Sequence, residues 1–350
     1  MKRNETRYVF IAFFQLMIFI LFLPAILIAQ DSYTIEGKVV DSKTNEPLAF
    51  VSVYLSQTSF GVMSDEQGVY VIKKIPAGSY TLVASLIGYK PEITNVTLDA
   101  SEKITVNIKM QPTVYEYNTV EVTGEKADKW NEQFKYFRKF FIGENEFADK
   151  CIILNKYKID FVEDNDKLIA RVNEPLKVHN AALGYDIECV LYYFKYDKNF
   201  HTTSYQVFPR FIERDSLPQD SVEYFLKNRT NAYKGSIAHF LTSLVKNNFN
   251  NEGFTLRIHE SIAYESQAYV TDASKIMYVD PVLHKYYLRF KGFLKVEYND
   301  SHKGQETLIV LPFGETEFSP NGFFLHTDEF VIDGDLAKGG VACMLPRFWK

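Results

Sequence analysis

Between positions 33 and 111 apolar and polar residues alternate in short runs: YTIEGKVVD, VSVYLSQ, FGVMSD, VYVIKKI, SYTLVASLIG, ITNVTL and KITVNIKM. In VSVYLSQ, Val51, Val53 and Leu55 fall on one side and Ser52, Tyr54 and Ser56 on the other. That period of two is the mark of a strand with one buried face. Asn45-Glu46-Pro47, Asp65-Glu66-Gln67-Gly68, Pro76-Ala77-Gly78 and Gly88 separate the runs at regular spacing. Strands punctuated in this way predict a seven-stranded antiparallel β-sandwich.

The period then changes. Trp130, Phe134, Phe137 and Phe141 fall at i, i+4, i+7 and i+11, which predicts a helix near 128–142 with an aromatic core stripe, begun by Asp128 and ended by Gly143. From Cys151 onward alternation returns in KIDFVED, KLIARV, DIECVLYYFKYD, SYQVFPRF, FTLRIHE and ETLIVLP. In YYLRFKGFLKVEYN, Leu288, Phe290, Leu294, Val296 and Tyr298 share one face, with Gly292 as a bend. A helical interlude at 220–249 places Ile237, Phe240, Leu241, Leu244 and Val245 on a buried face behind Ser236 as N-cap. The chain therefore reads as mainly β: the sandwich (33–111), a linker (112–127) and an antiparallel β-rich domain with a few helices (128–350).

Upstream of all this, Lys2, Arg3 and Arg7 precede an apolar tract from Val9 to Ala29, interrupted by Gln15 and Pro24. Residues 1–29 have the layout of a secretory signal, so the expected location is the periplasm or the outer membrane. Cleavage after Ala29 is one outcome; an uncleaved N-terminal anchor is the alternative. A net charge of −5 supplies no basic face for nucleic acid. In an oxidising compartment Cys151 and Cys189 are the pair expected to form a disulfide; the other reading takes all three cysteines as small buried hydrophobes.

Gly37-Lys38-Val39-Val40-Asp41, Pro47-Leu48, Val51-Ser52-Val53, Ser64-Asp65 with Gly68-Val69-Tyr70, Gly78-Ser79-Tyr80 and Ser85 to Tyr89 carry a family likeness. Together they resemble the carboxypeptidase-regulatory-like domain. The resemblance implies a transthyretin-like seven-stranded sandwich that is itself non-catalytic. It also implies a setting in Gram-negative envelopes, where the domain often precedes the plug of TonB-dependent receptors; residues 120–124 are similar to the segment that follows it there. The remaining 220 or so residues show no repeated barrel strands of about ten residues each. Zinc carboxypeptidase chemistry needs His-x-x-Glu and a second histidine. The one such pair is His326 with Glu329, and no histidine follows it. Farther along, Phe141-Ile142-Gly143, Cys151 to Asn155, Ala182 to Tyr185, Asn228-Arg229, Ala232 to Ser236, His239-Phe240 and Leu345-Pro346 resemble the remainder of exported proteins that carry this domain and have no assigned activity.

The densest cluster of chemical residue types is NRTNAYKGSIAHF, 228–240. Ser236 and His239 are i, i+3 on a helix, a spacing that allows a nucleophile and its base. Lys234 and Ala238, however, stand where a nucleophile elbow needs glycines. Binding of an anion at the helix start, with Arg229 and Lys234 nearby, fits better. A purely architectural role is the third reading, with Arg229 bridging two segments and His239 hydrogen-bonded within the fold. The candidate binding set is Asn228, Arg229, Tyr233, Ser236 and His239. Scattered histidines (His179, His201, His259, His284, His302) and the short Asp333-Gly334-Asp335 offer no metal spacing, and no cofactor is expected. The function expected is a non-enzymatic envelope binding or accessory protein with a protein or glycan partner, outer-membrane receptor machinery among the candidates. The alternative is an envelope hydrolase using Ser236 and His239.

Overall fold

The computed structural model describes residues 32–99, 102–113, 125–213, 219–259, 267–283, 285–298, 305–325 and 329–349. The apolar N-terminal tract, residues 120–124 and His326 lie outside the described residues.

The alternating runs form a sandwich of two four-stranded sheets. Its strands are β1 (Tyr33–Asp41), β2 (Ser52–Leu55), β3 (Gly61–Met63), β4 (Val69–Ile75), β5 (Gly78–Ser85), β6 (Glu92–Leu98), β7 (Lys103–Thr105) and β8 (Ile108–Met110). One sheet has β1 at its centre, flanked by β4 and by β7 and β8; the other runs β3-β2-β5-β6. The inward residues Ile35, Val39, Val53, Leu55, Ile72, Leu82, Leu98 and Met110 fill the space between them. Two details differ from the sequence reading. KITVNIKM is not one strand but two, and both run parallel to β1. The break has a cause: the Val106 carbonyl turns over Gly37 and accepts from the Tyr70 hydroxyl at 2.7 Å. The Asn107 side chain then supplies the missing ladder acceptor for the Lys38 N–H at 3.0 Å.

Helix α1 (Glu125–Ile142) begins one turn earlier than the Asp128 cap predicts, and it ends at Gly143, whose φ is +105°. Its stripe is core: Phe137 and Phe141 are fully buried, and the Trp130 indole donates to the Ile159 carbonyl. The helix packs on a six-stranded sheet of β9 (Cys151–Ile153), β10 (Asp160–Asp164), β11 (Lys167–Arg171), β12 (Leu176–Asn180), β13 (Tyr185–Asp197) and β14 (Thr202–Glu213). Glu163 of β10 ties helix to sheet, accepting from Lys198 at 3.0 Å, Gln133 at 3.1 Å and Lys129 at 3.2 Å. These donors, Lys198 first, draw its carboxyl down to about 2. A depressed carboxyl stabilises the fold fully above its ordinary value near 4.5 and loses that contribution as pH falls through about 2. Glu163→Gln is therefore expected to flatten the fall in urea midpoint across that window. Glu163 is partly solvated, so the effect is below about 1 kcal/mol.

The helical interlude is two helices, α2 (Gln219–Tyr233) and α3 (Ile237–Val245), broken at Lys234-Gly235-Ser236. Beyond them lies a second core. It is enclosed by α3, by a five-stranded sheet with Phe254–His259, Phe293–Tyr298, Gln305–Val310 and their neighbours, and by a four-stranded sheet with Tyr286–Arg289 and Glu315–Ser319. YYLRFKGFLKVEYN buries the predicted face (Leu288, Phe290, Leu294, Val296, Tyr298). Gly292, at φ +76°, is a corner at which the chain leaves one sheet for the other.

The chain then returns. Residues 341–345 rejoin the first core beside α1, and residues 347–349 act as a strap. Arg347 donates from its backbone to the Gln57 carbonyl at 2.9 Å and from its guanidinium to the Ser79 carbonyl at 2.6 Å, between the rings of Tyr80 and Phe323. Burial pulls this guanidinium down to about 10, so it stays charged at neutral pH. Phe348 meets Phe60, and Trp349 meets Tyr233.

The strap reinforces a larger joint. Tyr54 and Val83, on the outer face of β2 and β5, pack against Val190 and Phe208 of β13 and β14. Arg210 reaches from β14 to Ser52 and to the Gly61 carbonyl. Gln57 and Thr58 extend the edge of β14, exchanging backbone bonds with Pro209 and Phe211. Pro209 suits such an edge, because it has no N–H to leave unpaired.

The expected Cys151–Cys189 disulfide is corrected by this topology. The two are not bonded to each other; they stand on β9 and β13 with β12 between them, Cys151 opposite Asn180 and Cys189 opposite Leu176. Two strand spacings of about 5 Å and a four-residue offset of about 13 Å put them well outside the roughly 7 Å Cα reach of a disulfide.

Candidate functional site

The 228–240 cluster is built where α2 hands over to α3. Gly235 supplies the φ of +69° that lets the chain turn, and a Cβ there would strike the Tyr298 ring at 2.7 Å. Ser236 takes an extended conformation, and its Oγ accepts from the His239 backbone N–H at 3.1 Å, so it is the N-cap. The His239 ring is buried, walled by Tyr233, Phe254 and Tyr298. Its Nδ1 accepts from the Gly235 N–H at 3.0 Å. That nitrogen therefore carries no proton, and Nε2–H donates to Glu252 at 3.2 Å. Burial lowers its pKa, against the opposing pull of Glu252. Neither ring nitrogen is available to take a proton from Ser236.

Asn228 and Arg229 face elsewhere. The Asn228 amide donates to the Ala182 carbonyl at 2.8 Å, and Arg229 Nε to the Leu183 carbonyl at 2.9 Å. The Arg229 guanidinium lies 4.0 Å over the Tyr185 ring. Asn180 completes this staple: its Oδ1 accepts from the Ala182 and Leu183 N–H groups, and its amide donates to the Ala342 carbonyl. The sequence reading missed Asn180, although an Asn ahead of Ala-Ala-Leu-Gly is an Asx-turn signal. The structure thus gathers Tyr233, Ser236 and His239 at the break between the two helices, directs Asn228 and Arg229 to the turn at 182–183, and gives each of the five an internal partner. Ser236→Ala is expected to cost about 1 kcal/mol through the lost cap, read as a lower urea midpoint with the fold retained. Among the described residues no group of three or more His, Cys, Asp or Glu side chains converges as metal ligands would.

A different surface stands out on the outer face of the six-stranded sheet. Register aligns Ile152, His179, Asp186 and Ile212 in one row across β9, β12, β13 and β14. The next row is Leu154, Lys177, Glu188 and Arg210. The row after that, Val190 with Phe208, is already covered by the sandwich. Ile152 is 59% exposed, Leu154 62% and Ile212 38%, and between the two isoleucines His179 Nδ1 meets Asp186 at 2.6 Å. This face was hidden in the sequence because its residues come from four strand segments, with two or three contributed by each.

Residues 35–122 match the CarboxypepD_reg-like domain family. That places the first sandwich in the class its own strands define. No curated protein sequence matches the chain. Solved structures with a partial likeness include the major pilin subunit BcpA of Bacillus cereus, with 15% identity over 23% of this chain and 30% of that one and a TM-score of 0.21. A second is GBS52, the minor pilin of Streptococcus agalactiae, at 22% identity over 25% and 47%, with a TM-score of 0.21. A DUF3823 family protein from Bacteroides ovatus shares 14% identity over 54% and 83%, with a TM-score of 0.20. The chain spans less than half the length of either pilin. Among the described residues no helix is long and apolar enough to cross a membrane.

Proposed function

We propose that this chain is a non-enzymatic accessory protein of the cell envelope that holds a protein partner on the outer face of its six-stranded sheet. One observation carries the reading: the exposed rows headed by Ile152 and Leu154 are continuous with Val190 and Phe208, which the sandwich already covers. The same face is thus used for protein contact at one end and open at the other. Exposed aliphatic side chains at the ends of these rows, with His179, Asp186, Lys177 and Glu188 between them, offer a protein partner apolar contact and hydrogen-bonding groups side by side. A glycan site would be built around exposed aromatic faces. The location in the periplasm or at the outer membrane rests on the signal-like N-terminus and on the company this domain keeps. The roles of Asn228, Arg229, Tyr233, Ser236 and His239 in this reading are architectural. A photo-crosslinking residue at position 152 or 212 is expected to yield a discrete protein adduct in envelope extracts, and the same residue at Asn231 of α2 none. Adducts to polysaccharide alone would replace the protein partner with a glycan.

A further inference from the structure

Cys151 and Cys343, far apart in sequence, arrive at one place in the fold. Cys151 stands opposite Asn180 in the β9–β12 ladder, so both side chains project to the same, inner face. The Asn180 amide donates to the Ala342 carbonyl at 3.0 Å, and the next residue, Cys343, packs against the core that holds Cys151. Burial, and after it the charge of Cys151, pushes Cys343 up to about 12. Burial likewise holds Cys151 at about 12. Cys189 is excluded by its place on β13, beyond β12.

We propose that Cys151 and Cys343 are joined as a disulfide in the mature protein, tying the returning C-terminal segment to the edge strand β9. The oxidant is a disulfide of the exporting compartment, either glutathione disulfide or the active-site disulfide of a thiol oxidoreductase; in this the inference rests on the exported reading. One cysteine thiolate attacks a sulfur of that disulfide and releases one thiol. The second thiolate then attacks the mixed disulfide and releases the other. Two protein S–H groups become one S–S bond, and the oxidant's S–S becomes two S–H. Because burial keeps both thiols protonated once the segment is seated, the exchange belongs to folding, before residues 341–345 dock.

The test is refolding of the full chain from denaturant in a mixture of reduced and oxidised glutathione. Thiol titration and unreduced peptide mapping by mass spectrometry then give the linkage. The expected result is one titratable thiol, Cys189, a peptide pair joining Cys151 to Cys343, and a melting temperature several degrees above that of the reduced protein. Cys343→Ser is expected to leave two thiols and no link, at the melting temperature of the reduced wild type. Three free thiols after refolding, or a link that includes Cys189, would overturn the pairing. Protein isolated from cells serves as a second arm. A link formed in vitro but absent in the cell would contradict the exported setting, and with it the bond's presence in the mature protein.

Discussion

Tyr54→Ala is expected to lower the unfolding free energy by about 4 kcal/mol and to split one thermal transition into two. Tyr54 is fully buried although it sits on the outer face of its sheet, because that face is the joint with β13 and β14. Its ring packs against Val83, Val190 and Phe208, and its hydroxyl donates to the Phe208 carbonyl at 2.8 Å. Truncation leaves a cavity at the joint and an unpaired carbonyl, while the sandwich core of Ile35, Val53 and Leu82 is untouched. The sandwich and the rest of the chain then unfold separately. Tyr54→Phe removes only the hydroxyl and is expected to cost about 1–2 kcal/mol within a single transition. Calorimetry reads both. A single transition shifted by under about 1 kcal/mol in Tyr54→Ala would mean that the joint contributes little.

The second large effect lies inside the sandwich. A Cβ on Gly37 would sit 1.8 Å from the Val106 carbonyl oxygen and 2.7 Å from its carbon, both backbone atoms. That oxygen is held by the Tyr70 hydroxyl and cannot swing aside cheaply. Gly37→Ala therefore has to push β1 away from the β7–β8 connection, at a cost of roughly 3 kcal/mol or more. Gly88 offers a control of the opposite kind: a Cβ there has nothing within 4 Å, and only its φ of +89° resists substitution. Gly88→Ala is expected to cost about 1 kcal/mol, so urea midpoints of the two variants separate a steric requirement from a conformational one.

The contrast between Gly37 and Ile152 shows what the sequence could convey. Period-two alternation exposed the sandwich, its core positions and the family likeness that includes Gly37, because those signals are local. The break at Val106-Asn107 was not visible, since it arises from a parallel pairing with β1 some seventy residues away in the chain. The Ser236 cap and Gly235 turn were legible for the same local reason. The partners of Asn228 and Arg229 were not, because they sit on a turn at 180–184 brought in by tertiary packing. Ile152, Leu154 and Ile212 each read as an ordinary strand residue. Only the register of four strands makes them a surface.

Partner retention by three forms of the full chain tests the binding reading most directly. Wild type, the Ile152→Ser/Ile212→Ser pair and Ser236→Ala, each checked for an intact fold by melting temperature, are used to capture protein from envelope extracts. The expected result is a discrete partner held by wild type and by Ser236→Ala and lost with the paired substitution. Retention by the paired substitution together with loss in Ser236→Ala would contradict the sheet-face reading and return the function to the α2–α3 junction.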